Sequence, residues 1–263
     1  MRNRIYAIFL RQLYLYRHSV HRFVVLFFWP PMELILWGLI TVYLNRLSMA
    51  NFNFIPLFLG AVIFWNFYIR IEQSISVSFL EDVWTRNVGN VFASPIRPVE
   101  FIFGLMLFSV VQAFLSFAIL LILAQLFWNF SVFQFGWLLA PFFLNLFLFG
   151  WTLGIIATAI LLRLGPSAEM VAWAMPAVIQ PFAAVFYPVA VLPMFLQRVA
   201  WFVPLSHIFE GLRAVVLFQG FNAPSLFLAF GLNVLYFIIA ILIFHLAFRS
   251  VRKKGLLQRY SEY

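Results

Sequence analysis

Cysteine is absent from all 263 positions, and charge is scarce: Asp, Glu, Lys and Arg together make up 10% of the sequence, with only 8 acidic residues. The first absence excludes disulfides, thiolate metal sites and cysteine nucleophiles. The second excludes an ordinary soluble domain, where roughly a quarter of residues are charged. A large hydrophilic domain and a Gly-rich nucleotide loop are also missing, so this chain has no site of its own for ATP. His18, His21 and His245 lack metal-ligand spacing. Ser206 and His207 are adjacent but have no recoverable acid partner, so no catalytic residue is assigned. The first apolar stretch continues into a full-length span, and no cleaved signal peptide is expected.

What is present is apolar. Hydrophobic residues fill 65% of the chain, in continuous runs long enough to cross about 30 Å of hydrocarbon as helices. The alternation of a membrane β-barrel is not seen. The expected fold is therefore all-α and polytopic. Spans are expected at 23–44 (interrupted by Pro30-Pro31), 54–76, 101–127, 135–162, 168–191 and 226–248. Residues 1–22 carry Ile5, Ile8, Phe9, Leu13, Tyr16 and Val20 at helical spacing, with Arg4, Arg11 and His18 on another face. That pattern predicts an amphipathic interfacial helix whose arginines point towards lipid phosphates. Residues 249–263 form a basic tail.

Residues 192–220 are apolar but are broken by Pro193, Gln197, Arg198, Pro204, His207, Glu210 and Arg213. A seventh crossing there would place the two terminal basic clusters on opposite sides of the membrane. With six crossings, all 17 Lys and Arg residues except Arg46, Arg198 and Arg213 fall on the side expected to be cytoplasmic. The segment is therefore read as a re-entrant hairpin on the outer side, and both termini as cytoplasmic. The net charge of +9 is accordingly assigned to membrane lipid, with no nucleic-acid motif beside it.

Three groups of residues are candidates for function. Within 77–100, Leu80, Trp84, Val88 and Val91 fall on one helical face, with Glu81, Asp82, Arg86 and Asn90 around it. Such a helix fits a groove on a partner, or serves as an interfacial connector held by Trp84 and Phe92. Glu33, Arg70 and Glu72 are charges near membrane depth, costly unless paired or wet. Arg70 and Glu72 stand two apart and do not share a face, which points to ion pairs between helices or to snorkelling. His207, Glu210 and Arg213 recur every three residues, either contacting a polar headgroup at an exit or holding the hairpin shut.

The order of these features resembles the permease subunit of ABC-2 type exporters. The resemblance covers nearly the whole chain. It rests on Asn90-Val91-Phe92-Ala93-Ser94-Pro95-Ile96-Arg97-Pro98-Val99-Glu100, on Phe186-Tyr187-Pro188-Val189-Ala190-Val191-Leu192-Pro193, on Trp201 to His207, and on Glu210-Gly211-Leu212-Arg213. The wording of Ser94–Glu100 is closer to the drug, lipooligosaccharide and nodulation-factor exporters than to the O-antigen and teichoic-acid exporters. The resemblance implies a bacterial inner-membrane permease that pairs with a second copy to form the path. It implies a separate ATP-binding subunit that holds ATP and Mg and docks on a coupling helix around Leu80–Phe92. Other readings are an ion- or proton-coupled secondary transporter and a membrane assembly subunit that does not transport.

Overall fold

The computed structural model describes residues 1–47, 53–217 and 223–255, excepting the side chains of His21, Phe23, Val25 and Leu26. The ends of the expected hairpin and basic tail, Arg259 among them, lie outside the described residues. Among the described residues the secondary structure is helical, with no strand. The helices are α1 (Arg2–Arg17), α2 (Val20–Leu47), α3 (Ile55–Trp84), α4 (Val88–Ala93), α5 (Pro98–Trp128), α6 (Leu139–Leu164), α7 (Glu169–Ala183), α8 (Met194–Trp201), α9 (Pro204–Val216) and α10 (Ala223–Lys253).

Local chemistry sets the helix boundaries. Pro98 begins α5, where a missing N–H costs nothing, and the Glu100 carboxylate accepts the backbone N–H of Arg97 at 2.9 Å. Asn129, in the left-handed region at φ 50°, ends the same helix. Gly165, at φ 73°, ends α6 ahead of Pro166. Pro30 and Pro31 do not interrupt the first span as expected: α2 continues through both, as membrane helices do when neighbours shield the loosened backbone. The fifth expected span is shorter than its apolar run, since Ala184 at φ 52° stops α7 and an irregular stretch carries the chain to Pro193.

The helices alternate in direction. Arg22 pairs with Glu81 near the end of α3, and Asn45 at the far end of α2 accepts the Phe54 N–H ahead of α3, so α2 leads outward and α3 returns. The apolar helical stretch 132–183 is 52 residues long, more than twice the ~30 Å a membrane span must cover at ~1.5 Å per residue. It folds back at Gly165–Ala168. At the start of α7 Glu169 meets Trp84, and just beyond its end Phe186 stacks on Trp37 with ring centroids 4.0 Å apart. Thus α7 traverses the bundle beside α3. The last turns of α10 share a cleft with Met1 and Arg97–Glu100, which places them at the end of the bundle that carries the N-terminus. We call this the terminal end.

Six passages, α2, α3, α5, α6, α7 and α10, account for that parity, and α8–α9 must begin and finish at the far end. They bend by 98° at a break around Phe202 and Val203. The tip reaches down to Tyr236, whose hydroxyl donates to the Phe202 carbonyl at 2.9 Å. The pair is a re-entrant hairpin.

The core has α3 at its centre. Towards the far end Phe64, Phe67 and Phe142 are fully buried, and Phe143 lies 4.7 Å and 5.0 Å by ring centroid from Phe67 and Phe117. Towards the terminal end Phe79, Leu80, Val88 and Phe101 form a second cluster. Close approach is bought with glycine. A Cβ on Gly154 of α6 would sit 2.9 Å from the Glu72 carbonyl oxygen of α3, and one on Gly104 of α5 would sit 2.5 Å from Cβ of Ile8 in α1.

Candidate functional site

At the terminal end, the segment expected to be one amphipathic helix is two. α3 continues unbroken through 77–84, and its last turn closes at Thr85. Arg86 then takes the left-handed conformation at φ 56°, and the short α4 sets off in a new direction. Separating the two pieces dissolves the continuous stripe. Leu80 is 0% exposed and Val88 1% exposed, both inside the subunit's own core, so the expectation that they insert into a partner is corrected. Trp84 is 48% exposed, and Arg86 is exposed beside it.

Glu81 and Asp82, expected around the partner-facing stripe, are instead engaged by arginines of the same subunit. Arg22 meets Glu81 at 2.7 Å, and the Arg11 guanidinium forks onto both oxygens of Asp82. Arg4 reaches Glu100 at 3.4 Å. Thus three arginines that the sequence pattern assigns to lipid phosphates instead fasten α1 and the start of α2 to α3 and α5. Opposite charge near at hand is a stronger partner than a solvated phosphate when the pair is shielded. Buried Ile8 and Gln12 are the packing face of α1, and Leu13 and Val20 are exposed.

The exposed part of this end joins two loops. The Trp84 indole N–H donates to Glu169 Oε2 at 3.2 Å, linking the end of α3 to the start of α7. Around that bond Arg86, Leu164 and Met170 are exposed. The turn 163–167, too short to be a site by itself, contributes here to a shared apolar and charged surface.

At membrane depth, the expected ion pairs do not form. Glu33 accepts the Asn66 amide at 3.0 Å. Among the described residues Arg70 makes no hydrogen bond or ion pair, and neither carboxyl oxygen of Glu72 has a hydrogen-bond partner. Inserting an Arg or Asp into a membrane helix costs ~2.5–3.5 kcal/mol on insertion scales, so an unpaired Arg70 is notable. It lines a cavity of about 280 Å³, together with Gln73, Ser74 and Ser78 of the same helix and Gln112 of α5. The stripe Asn66, Arg70, Gln73, Ser74, Ser78, Glu81 follows helical spacing on one face of α3. Its charges alone do not reveal it from sequence; the serines and amides at the same period carry the signal.

At the far end, Arg213 is buried. Its Nη2 donates to the carbonyls of Ala184 and Tyr187 at 2.7 and 3.0 Å, and its Nη1 lies 3.0 Å from Glu210. Glu210 in turn accepts the backbone N–H of Val189 at 2.6 Å. These contacts tie α9 to the irregular stretch after α7. His207 lies between Ser225 and the Trp201 carbonyl, at 3.0 and 2.8 Å, and holds the hairpin tip to the start of α10. A buried bond from the Asn233 amide to Asn145 Oδ1, 2.9 Å, joins α10 to α6 and was not foreseen from sequence.

The site is thus a helical bundle with a polar stripe inside it, a bent helix pair at one end and an exposed turn surface at the other. The family model of the ABC-2 type transporter matches residues 5–217, and the chain belongs to that family as a permease subunit. No individual curated protein matches the chain significantly.

Proposed function

We propose that this chain supplies the membrane path of an ATP-driven exporter for an amphipathic or lipid-linked molecule, in the bacterial inner membrane with both termini cytoplasmic. Two copies form the path, and a separate ABC ATPase holding ATP and Mg docks beneath them. Export rather than uptake is supported by the resemblance of Ser94–Glu100 to drug, lipooligosaccharide and nodulation-factor exporters. The observation that carries the coupling reading is the bond from Trp84 to Glu169, which gathers two loops into one exposed surface. Trp84, Arg86, Leu164 and Met170 offer that surface to the ATPase. Buried Leu80 and Val88 lie behind it and pass movement into α3.

Large apolar side chains each contribute about 1.5–3 kcal/mol when removed from water. Replacing Trp84 and Met170 together by Ala is therefore expected to weaken recovery of the ATPase by about tenfold or more, with export falling in parallel. Pull-down at matched membrane abundance tests this. Full recovery of ATPase with undiminished export refutes this surface as the coupling contact.

A further inference from the structure

The cavity beside Arg70 brings together polar groups of α3 and α5 that lack partners among the described residues. Arg70 is the sixteenth residue of the 30-residue α3, buried, and without a carboxylate partner among the described residues. Its Nε has no hydrogen-bond partner, and neither has Ser74 Oγ on the next turn. Gln112 faces the same space from α5 and makes no hydrogen bond to the described residues. Among the described residues that line the cavity the acid is Glu81, and Arg22 at 2.7 Å already neutralises it. The net charge left over is one positive charge, on Arg70. Tyr16 stands within electrostatic reach and is neutral as a phenol.

We infer that Arg70, Ser74 and Gln112 form a binding site for a single oxyanion, a phosphodiester or carboxylate, carried on the head of an amphipathic molecule. A guanidinium fork with hydroxyl and amide donors around it is the donor set that such a group recognises. The volume, about 280 Å³, is at the lower edge of small-ligand pockets. It takes a headgroup and leaves an acyl chain outside. The half-exposed Trp173 lies at the mouth, and its ring suits the boundary between headgroup and chain. This inference rests on the export reading for its meaning, since it narrows the cargo to amphipaths bearing one negative charge. Either the cargo or a resident membrane lipid supplies that chemistry.

The test is retention of single-chain lipids by the purified full-length chain in a neutral maltoside detergent, read by native mass spectrometry. The probes are lysophosphatidylglycerol, which is anionic, and lysophosphatidylcholine, which is zwitterionic. Wild type is expected to prefer the anionic probe by about tenfold or more, the scale of a charge-assisted hydrogen-bond pair. Arg70→Gln should abolish the preference, and Arg70→Lys should keep part of it. Where Arg70→Gln does not accumulate, Gln112→Leu decides, with an expected loss of several-fold at unchanged charge. Retention of anionic probe by Arg70→Gln, or by Gln112→Leu in its stead, equal to wild type overturns the site, as does equal retention of the two probes by wild type. Ready displacement of bound lysophosphatidylglycerol by palmitate marks a site of passage; a co-purified phospholipid that resists excess probe marks a resident lipid. Neither measurement needs the ATPase. Failure here removes the anion site alone, while failure of the ATPase pull-down leaves the binding result standing.

Discussion

Arg11 and Asp82 form a two-pronged ion pair, with Nη1 donating to Oδ2 at 2.9 Å and Nη2 to Oδ1. The pair joins a helix that does not cross the membrane to the last turn of the helix at the centre of the bundle. With Arg4–Glu100 and Arg22–Glu81 it makes α1 part of the body of the subunit rather than an adjunct floating on lipid. Any force applied at the terminal end therefore reaches α1, α3 and α5 together.

The first prediction follows from that clamp. Asp82→Asn removes the charge that fixes Arg11 and is expected to destabilise the docked α1 by about 1.5–3 kcal/mol. Protease cleavage in the stretch Arg17–Arg22 should accelerate accordingly, while six-passage insertion is preserved. Exchanging the charges, Arg11→Asp with Asp82→Arg, should recover most of the protection. Cleavage at the wild-type rate in Asp82→Asn would show that packing of Ile8 against Gly104 alone holds the helix.

At the far end, Arg213 donates to the carbonyls of Ala184 and Tyr187. Arg213→Ala leaves those carbonyls and Glu210 without their partner, a change of the kind that costs ~3–5 kcal/mol when buried, and is expected to lower membrane abundance sharply. Arg213→Lys recovers little, because one ammonium cannot span the carbonyls of Ala184 and Tyr187 and Glu210 at once. His207→Ala, at a less buried position, should cost less. Quantifying folded protein beside export separates these roles: normal abundance with lost export in Arg213→Ala would assign the residue to the transport path.

Arg86 sits at φ 56°, a conformation that costs a non-glycine residue about 1 kcal/mol or more. Arg86→Gly relieves that strain while deleting an exposed charge. The expected outcome is a thermal midpoint equal to or above wild type, together with weaker recovery of the ATPase. A lower midpoint would mean that the guanidinium, not the backbone, is what this turn requires.

Topology supplies the fourth. Reporters fused at the N-terminus and at Asn87 should face the same side of the membrane, the cytoplasm, and a reporter inserted at Asn129 the opposite one. A reporter at Pro193 should agree with Asn129, since the hairpin begins and ends at the far end. Cytoplasmic signal at Pro193 would require α7 to turn back without crossing.

The all-helical class, the apolar spans and the family were legible in the sequence, because lipid imposes a length that a single strip of residues displays. Proline was the least reliable guide. Pro30 and Pro31 read as an interruption, yet neighbours sustain the helix through them. The coupling stripe was misread for a related reason: periodicity across 80–91 presumes one helix, and a single left-handed residue at Arg86 cancels the register.

What the sequence by itself determined is which stretches are long and apolar enough to cross a membrane, since hydropathy acts residue by residue and needs no partner. Tertiary structure alone decided what each charge is for. Arg4, Arg11 and Arg22 have the same side chain as Arg70 and Arg213, and nothing local separates them. The first three meet carboxylates from helices about 60 to 100 positions away, Arg213 meets backbone carbonyls released where α7 ends, and Arg70 meets an open cavity. The reason is physical: the interaction of a charge depends on which groups lie within a few ångströms and how far water is excluded, and both are set only when α3 packs among α5, α6 and α7.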